Sequence, residues 1–200
     1  MDRYDSFDDL CKHAVEGRDF RIRTVIRPGQ VAVIAPHGGG IEPGTSELAE
    51  AIAGTAFSFY AFEGTRPNNN RDLHITSTRF REARCDALVA ASPLVITIHG
   101  EDSDDEAVFI GGLASEMLRA VGESLEAAGF SVERHANPAL QGESRDNTCN
   151  RGARREGVQL ELSSGLRSTF FEGLTRRGRR KTTDRFAAFV EAVRNGASRV

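Results

Sequence analysis

The sequence predicts an α/β fold, a mixed β-sheet flanked by helices in a layered sandwich. Three observations predict it. Apolar runs of strand length alternate with amphipathic stretches of helical period along the whole chain. Clusters of Gly, Pro and Asn bound most of these runs. Some runs are joined by turn signals and others by helices, which requires both antiparallel and parallel neighbours. A chain of 200 residues without repeat or linker fits one domain, 1–200.

Residues 4–14 read as a short amphipathic helix that opens near Asp5 or Ser6. Residues 21–26 alternate at period two, Arg27-Pro28-Gly29-Gln30 is a turn signal, and 31–36 follow as an apolar run, so an antiparallel hairpin is expected there. A helix over 44–53 and a strand over 58–62 come next. Past the polar turn Asn68-Asn69-Asn70, residues 73–76 read as extended, 80–91 as helix, and Pro93 opens a central strand that ends at His99. Residues 107–112 read as strand, and 113–128 as a helix whose stripe is Leu113, Met117, Leu118, Val121 and Leu125, stopped by Gly129. Strands over 130–134 and 158–162 complete the sheet, and a helix over 184–194 presents Phe186, Phe189, Val190 and Val193 on one face. The polar stretch 137–156 has no clear period, which suits a loop at an active site.

Composition excludes several classes. The chain is 39% hydrophobic and 28% charged with a net charge of −3, ordinary for a globular protein. Three cysteines without a Cys-x-x-Cys pair give neither a disulfide framework nor a thiolate zinc site. No run approaches the ~18 apolar residues of a membrane span, so no membrane partner is expected. The charged start, Met1-Asp2-Arg3-Tyr4-Asp5, lacks the apolar stretch of a secretory signal. Synthesis in the cytoplasm is expected, with action outside the cell open to a protein released from it. The basic run Arg176-Arg177-Gly178-Arg179-Arg180-Lys181 is the feature a nucleic-acid-binding module would use. No helix-turn-helix, zinc-finger or aromatic-ladder pattern accompanies it, so no nucleic-acid partner is expected.

The chemistry concentrates on Ala35-Pro36-His37-Gly38-Gly39-Gly40-Ile41-Glu42-Pro43-Gly44. An imidazole and a carboxylate lie five residues apart across a glycine turn, at the carboxyl end of a strand. Open α/β sheets bind their ligands in that crevice. His99 ends a second apolar strand and also precedes a glycine. Two strand-end histidines and one glutamate make the His₂Glu set that catalytic zinc takes, with one position left for water. Glu161 stands inside the apolar strand 158–162 on the face of Gln159 and Ser163, which fits a general base. Arg151, Arg154, Arg155 and Arg167 flank that strand and are candidates for holding an oxyanion. His-Gly-Gly-Gly also occurs in oxyanion loops of serine hydrolases, but no Gly-x-Ser-x-Gly elbow exists here. The phosphate-binding glycine motifs are absent as well.

The blocks Ala35-Pro36-His37-Gly38-Gly39-Gly40-Ile41-Glu42-Pro43-Gly44-Thr45, Phe59-Tyr60-Ala61-Phe62-Glu63-Gly64, Leu73-His74-Ile75-Thr76-Ser77-Thr78, Ile98-His99-Gly100, Cys149-Asn150-Arg151-Gly152 and Gln159-Leu160-Glu161-Leu162-Ser163 together resemble the phage-type poly-γ-glutamate hydrolase family, in that family's order. The resemblance implies a compact three-layer relative of the zinc carboxypeptidase fold, one zinc, and endo-hydrolysis of γ-glutamyl amide bonds in an anionic polymer. It implies His37, Glu42 and His99 as ligands and Glu161 as general acid/base. Asn150 and Arg151 resemble the pair with which carboxypeptidases hold a substrate carboxylate. Arg151, then Arg167, are the expected oxyanion partners, and His74 a further substrate contact. Arg79 and Glu101 depart from the family pattern, which favours His and Cys there. A monomeric zinc amidohydrolase is expected, the alternative being one for another amide, such as an N-acylamino acid or a peptidoglycan peptide.

Overall fold

A computed structural model describes residues 2–200. Its strands are β1 (Phe20–Val25), β2 (Val31–Gly39), β3 (Ser58–Gly64), β4 (Leu94–Gly100), β5 (Ala107–Gly112), β6 (Ser131–Glu133) and β7 (Gly157–Leu162). The helices are α1 (Phe7–Cys11), α2 (Thr45–Ala53), α3 (Ala83–Ala91), α4 (Ser115–Ala127), α5 (Ser164–Thr169) and α6 (Asp184–Ala197). One mixed sheet runs β1-β3-β2-β4-β7-β5-β6. The expected α/β sandwich is therefore present, in three layers.

Alternation along the central strands sorts the two cores. Val33 and Ala35 of β2, Ile96 and Ile98 of β4, and Val158, Leu160 and Leu162 of β7 face α2, α4 and α6. Ala32, Ile34 and Val95 face the opposite layer, built on α1, α3 and the loop around Ile75 and Phe80. β2, β4 and β7 are parallel neighbours buried on both faces, so they read as nearly unbroken apolar runs. α4 buries Met117, Val121 and Leu125 at helical spacing, and α6 buries Phe189 and Val193 against it. Side-chain caps fix several starts: Ser6 Oγ accepts from Asp9 N at 3.1 Å, Ser163 Oγ from Leu166 N at 3.1 Å, and Thr183 Oγ1 from Phe186 N at 3.3 Å.

Two local expectations are corrected. β1 pairs antiparallel with β3, not with β2, which lies parallel between β3 and β4. The turn Arg27-Pro28-Gly29-Gln30 therefore links strands that are not neighbours. Residues 73–76 are not a strand; Asn70–Leu73 form a 3₁₀ turn and the chain continues irregularly past His74. α5 escaped the sequence reading because six residues are too few to show a period. No helix is long and apolar enough to cross a membrane, among the described residues.

The connections reverse direction across the β2–β4 pair. From β2 the chain passes through α2 on one face to β3 on one side; from β3 it passes through α3 on the other face to β4 on the other side. Such a switch point opens a crevice at the carboxyl ends of the two strands.

Candidate metal centre

β2 carries an irregularity that decides where His37 points. Ala35 pairs with Ala61 and Gly38 with Glu63, so three steps on β2 match two on β3. The extra residue is a bulge, and it inverts the alternation beyond it. Ala35 packs in the α2 layer. After the bulge Gly38 faces that layer too, where a Cβ would lie 2.8 Å from Ser46 Cβ. His37 is thereby turned to the opposite face, beside His99, Phe80 and the Ile75 carbonyl. Gly39, at φ 66°, makes the turn that follows; a Cβ there would sit 2.5 Å from the Gly64 carbonyl oxygen.

His99 reaches the same point from β4, on the face shared by Val95 and Thr97, and Glu42 returns to it from the glycine turn. Nδ1 of His37 lies 3.1 Å from Nδ1 of His99 and 3.1 Å from Glu42 Oε1, and His99 Nδ1 lies 3.9 Å from Glu42 Oε2. A tetrahedral zinc with bonds near 2.0–2.1 Å spaces its ligand atoms about 3.3–3.4 Å apart. The donor set fits that ion in both identity and spacing.

The second contacts of these side chains support the fit. His37 Nε2 is 2.8 Å from the Ile75 carbonyl, which can only accept, so the neutral ring carries its proton there and turns a bare Nδ1 inward. His99 Nε2 is 3.3 Å from Ser77 Oγ. Gly100 N–H donates to Glu42 Oε2 at 2.8 Å. Burial opposes charge on His37, yet the Glu42 carboxylate and the Ile75 carbonyl raise its pKa. The same burial opposes ionisation of Glu42, but His37 and His99 hold its carboxyl down to about 2. Burial and the neighbouring His37 push His99 down to about 3. Two buried imidazoles and a carboxylate thus converge on a point that demands positive charge.

The centre forms the floor of a cavity of about 390 Å³. Glu161 enters it from β7, paired in register with His99, and is 6% exposed. Burial, with the Glu42 and Glu101 charges, pushes its carboxyl well above the usual range, against the opposing pull of Arg167. Gln159 Nε2 donates to Glu161 Oε1 at 3.0 Å, and Asn147 Nδ2 donates to Gln159 Oε1 at 2.8 Å. This relay orients the carboxyl and comes partly from the aperiodic loop 137–156, which does wall the cavity through Ala139, Leu140 and Asn147.

His74 also lines the cavity. Its ring packs on His37 with centroids 4.0 Å apart, its Nε2 is 3.6 Å from Glu42 Oε1, and its Nδ1 is 2.7 Å from Asp2. Asp2 further accepts from Thr76 N at 2.7 Å, Thr76 Oγ1 at 2.8 Å and Arg79 at 2.7 Å. Burial resists ionisation there, but the Thr76 and His74 hydrogen bonds hold this carboxyl down to about 2. Nothing in the local sequence marks Asp2, because its partners lie more than 70 residues away.

Three expected substrate residues are placed elsewhere. Asn150 is buried and donates to the Gly142 and Ser144 carbonyls at 2.7 and 2.8 Å. Arg151 donates to Asp86, the Phe80 carbonyl and Thr148 Oγ1 at 2.7, 2.8 and 2.9 Å. Neither lines the cavity. They belong to a buried 3₁₀ turn, Thr148–Arg151, and spend their donors on pinning the cavity loop. Arg167 is 3% exposed, and it too does not line the cavity. Its guanidinium donates to the carbonyls of Leu162, Pro43 and Glu101 at 3.0, 2.8 and 2.8 Å. Those carbonyls follow Glu161, Glu42 and Gly100, so one side chain ties together the three chain segments that carry the site. Gly100 leaves it room, since a Cβ there would lie 2.8 Å from Arg167 Cζ. Arg167→Ala strands three carbonyls and is expected to cost about 3 kcal/mol or more, roughly 6–12 °C in Tm for a chain of this size. A thermal melt within 2 °C or so of wild type would contradict that role.

The family profile for poly-gamma-glutamate hydrolase matches residues 4–192. SPbeta prophage-derived UPF0714 protein YoqZ of Bacillus subtilis (strain 168) is 36% identical over 182 residues, which cover 90% of this chain and 66% of YoqZ. The structure of a bacteriophage poly-gamma-glutamate hydrolase has a TM-score of 0.96 at 28% identity, covering 100% of this chain and 98% of its own. The zinc-free apo structure of YndL has a TM-score of 0.93 at 31% identity, covering 99% of this chain and 98% of its own. A profile match over nearly the full length, on a fold shared end to end, means that this chain belongs to the poly-γ-glutamate hydrolase family.

Proposed function

We propose that this chain is a zinc-dependent hydrolase of γ-glutamyl amide bonds in poly-γ-glutamate, with His37, Glu42 and His99 as the metal ligands. The observation that carries the reading is the convergence of those three donors on the floor of a cavity that also holds one buried, high-pKa carboxyl, Glu161. The apo form of YndL, which is the zinc-free one, supports the choice of metal. Zinc supplies Lewis acidity, lowering the pKa of a water toward about 7 and polarising a carbonyl.

Glu161 does the proton work. Its carboxylate takes the proton of the attacking water, and its carboxylic acid returns that proton to the nitrogen of the leaving amine. Burial suits the acid half of this cycle, because it raises the carboxyl's pKa and favours the protonated form that gives the proton to the amine. Gln159 keeps the carboxyl aimed, and the 137–156 loop narrows the access of bulk water. His74 is a substrate contact from the opposite wall, held by Asp2 so that its Nε2 edge faces the cavity. Arg151 and Arg167 act through position: the first pins the cavity loop, the second binds the site segments together. All of these groups come from one chain, which supports a single catalytic domain, 1–200, working as a monomer.

Incubating the purified protein with poly-γ-glutamate, with and without chelator, and following polymer size tests the reading. Shortening that stops on chelation and returns with zinc is expected. Unchanged polymer length in the presence of zinc-loaded protein would overturn it.

A further inference from the structure

Resting on that reading, the substrate class poses a problem of charge. Each residue of poly-γ-glutamate carries a free α-carboxylate, while the cavity wall includes Asp2, Glu42, Glu101, Asp102 and Glu161. A polyanion needs a cation there, and the arginines first considered, Arg151 and Arg167, face elsewhere. Among the described residues that line the cavity, Arg71 is the one arginine or lysine. It stands on the 3₁₀ turn Asn70–Leu73, and its side chain is 70% exposed.

Arg71 already holds a carboxylate. Its Nη1 donates to Asp102 Oδ1 at 3.1 Å and its Nη2 to Asp102 Oδ2, a two-point fork. Asp102 comes from the segment after β4, so the pair spans the cavity mouth from one wall to the other. Its side chain is 62% exposed. An ion pair this open to solvent contributes little to stability and exchanges readily. Planar, bidentate recognition of a carboxylate is what a guanidinium does best. The other wall carboxylates have partners of their own: Asp2 has His74, Thr76 and Arg79, and Glu101 accepts from Ser103.

We infer that Arg71 is the specificity-determining residue that receives an α-carboxylate of the polymer, and that Asp102 occupies its fork in the free protein as a stand-in for that group. Binding exchanges one carboxylate for another, and Asp102 turns out to solvent. Substrates without an α-carboxylate fail to displace it, which selects γ-linked glutamate over neutral amides.

Steady-state kinetics on the zinc-loaded protein test this with Arg71→Ala, Arg71→Lys and Asp102→Asn. Arg71→Ala is expected to raise KM about tenfold or more, the effect of a lost charge-assisted hydrogen bond, with kcat and zinc content near wild type. Arg71→Lys recovers part of that loss, since a point charge replaces the fork. Asp102→Asn lowers KM by removing the competitor. A polymer with methyl-esterified α-carboxylates loses its advantage with wild type but not with Arg71→Ala. Wild-type KM in Arg71→Ala overturns the inference, and so does a KM in Asp102→Asn raised as far as in Arg71→Ala. Failure of wild type to shorten the polymer at all is a different result, and it overturns the hydrolase reading instead.

Discussion

Glu161→Gln is expected to retain zinc at the wild-type level and to lose turnover by about 10²–10⁴-fold or more, the usual contribution of a positioned general acid/base. The substitution keeps shape and polarity and removes only the ability to accept and return a proton. The three ligand atoms are untouched, because Glu161 contributes none of them. A second readout separates this account from simple damage. Burial raises the Glu161 pKa, so above the usual carboxylate range the unfolded chain ionises while the folded one keeps its proton. Folding is therefore penalised progressively as pH rises from the unfolded value to the folded one. A neutral amide escapes that penalty, so the metal-free variant is expected to melt higher than the metal-free parent at pH 7. Stability given up for function is common at active sites. A variant with wild-type kcat, measured on polymer with its zinc content quantified, would remove Glu161 from the mechanism.

The second large effect concerns the ligands themselves. His99→Ala leaves two donors, His37 and Glu42, with no third side chain among the described residues grouped with them at the required spacing, and zinc content is expected to fall from one per chain to trace. Activity falls with it to the level seen under chelator. Metal binding to the folded state alone stabilises by about 4 kcal/mol at a thousandfold excess over Kd. For a chain of this length that corresponds to roughly 8–16 °C in Tm. Chelator should accordingly lower the wild-type melt by that order and leave His99→Ala nearly unmoved. A variant that still melts higher with zinc, and still binds it stoichiometrically, would place the metal elsewhere.

Much of the site was legible because its carriers are strand ends flanked by glycine, a pattern with few structural explanations. His37, Glu42 and His99 meet as the spacing suggested, and period-two alternation placed Glu161 and Gln159 on one face. What the sequence withheld is non-local. The Pro-Gly turn after β1 looks the same whether or not the strands it joins are neighbours. β1 pairs with β3 because that strand, buried along its whole length, needs a partner on each side. Arginines are the other blind spot. Arg151 and Arg167 flank the right strand, but a long side chain hydrogen-bonds wherever free carbonyls lie, and those carbonyls are brought near only by folding. Arg71 sat unremarked in a polar turn beside His74. What sets it apart is that, among the described residues lining the cavity, it is the one Arg or Lys, a property no local motif records.

The bulge between Ala35 and Gly38 has a bearing on engineering. The orientation of His37 comes from a residue count, not from the identity of its neighbours. A copy of residues 31–42 laid on a regular parallel strand, with its bulge straightened, would present its imidazole to the wrong layer, however faithfully each amino acid was copied. Transplanting the centre therefore requires carrying over the extra residue together with a receiving strand whose pairing tolerates it.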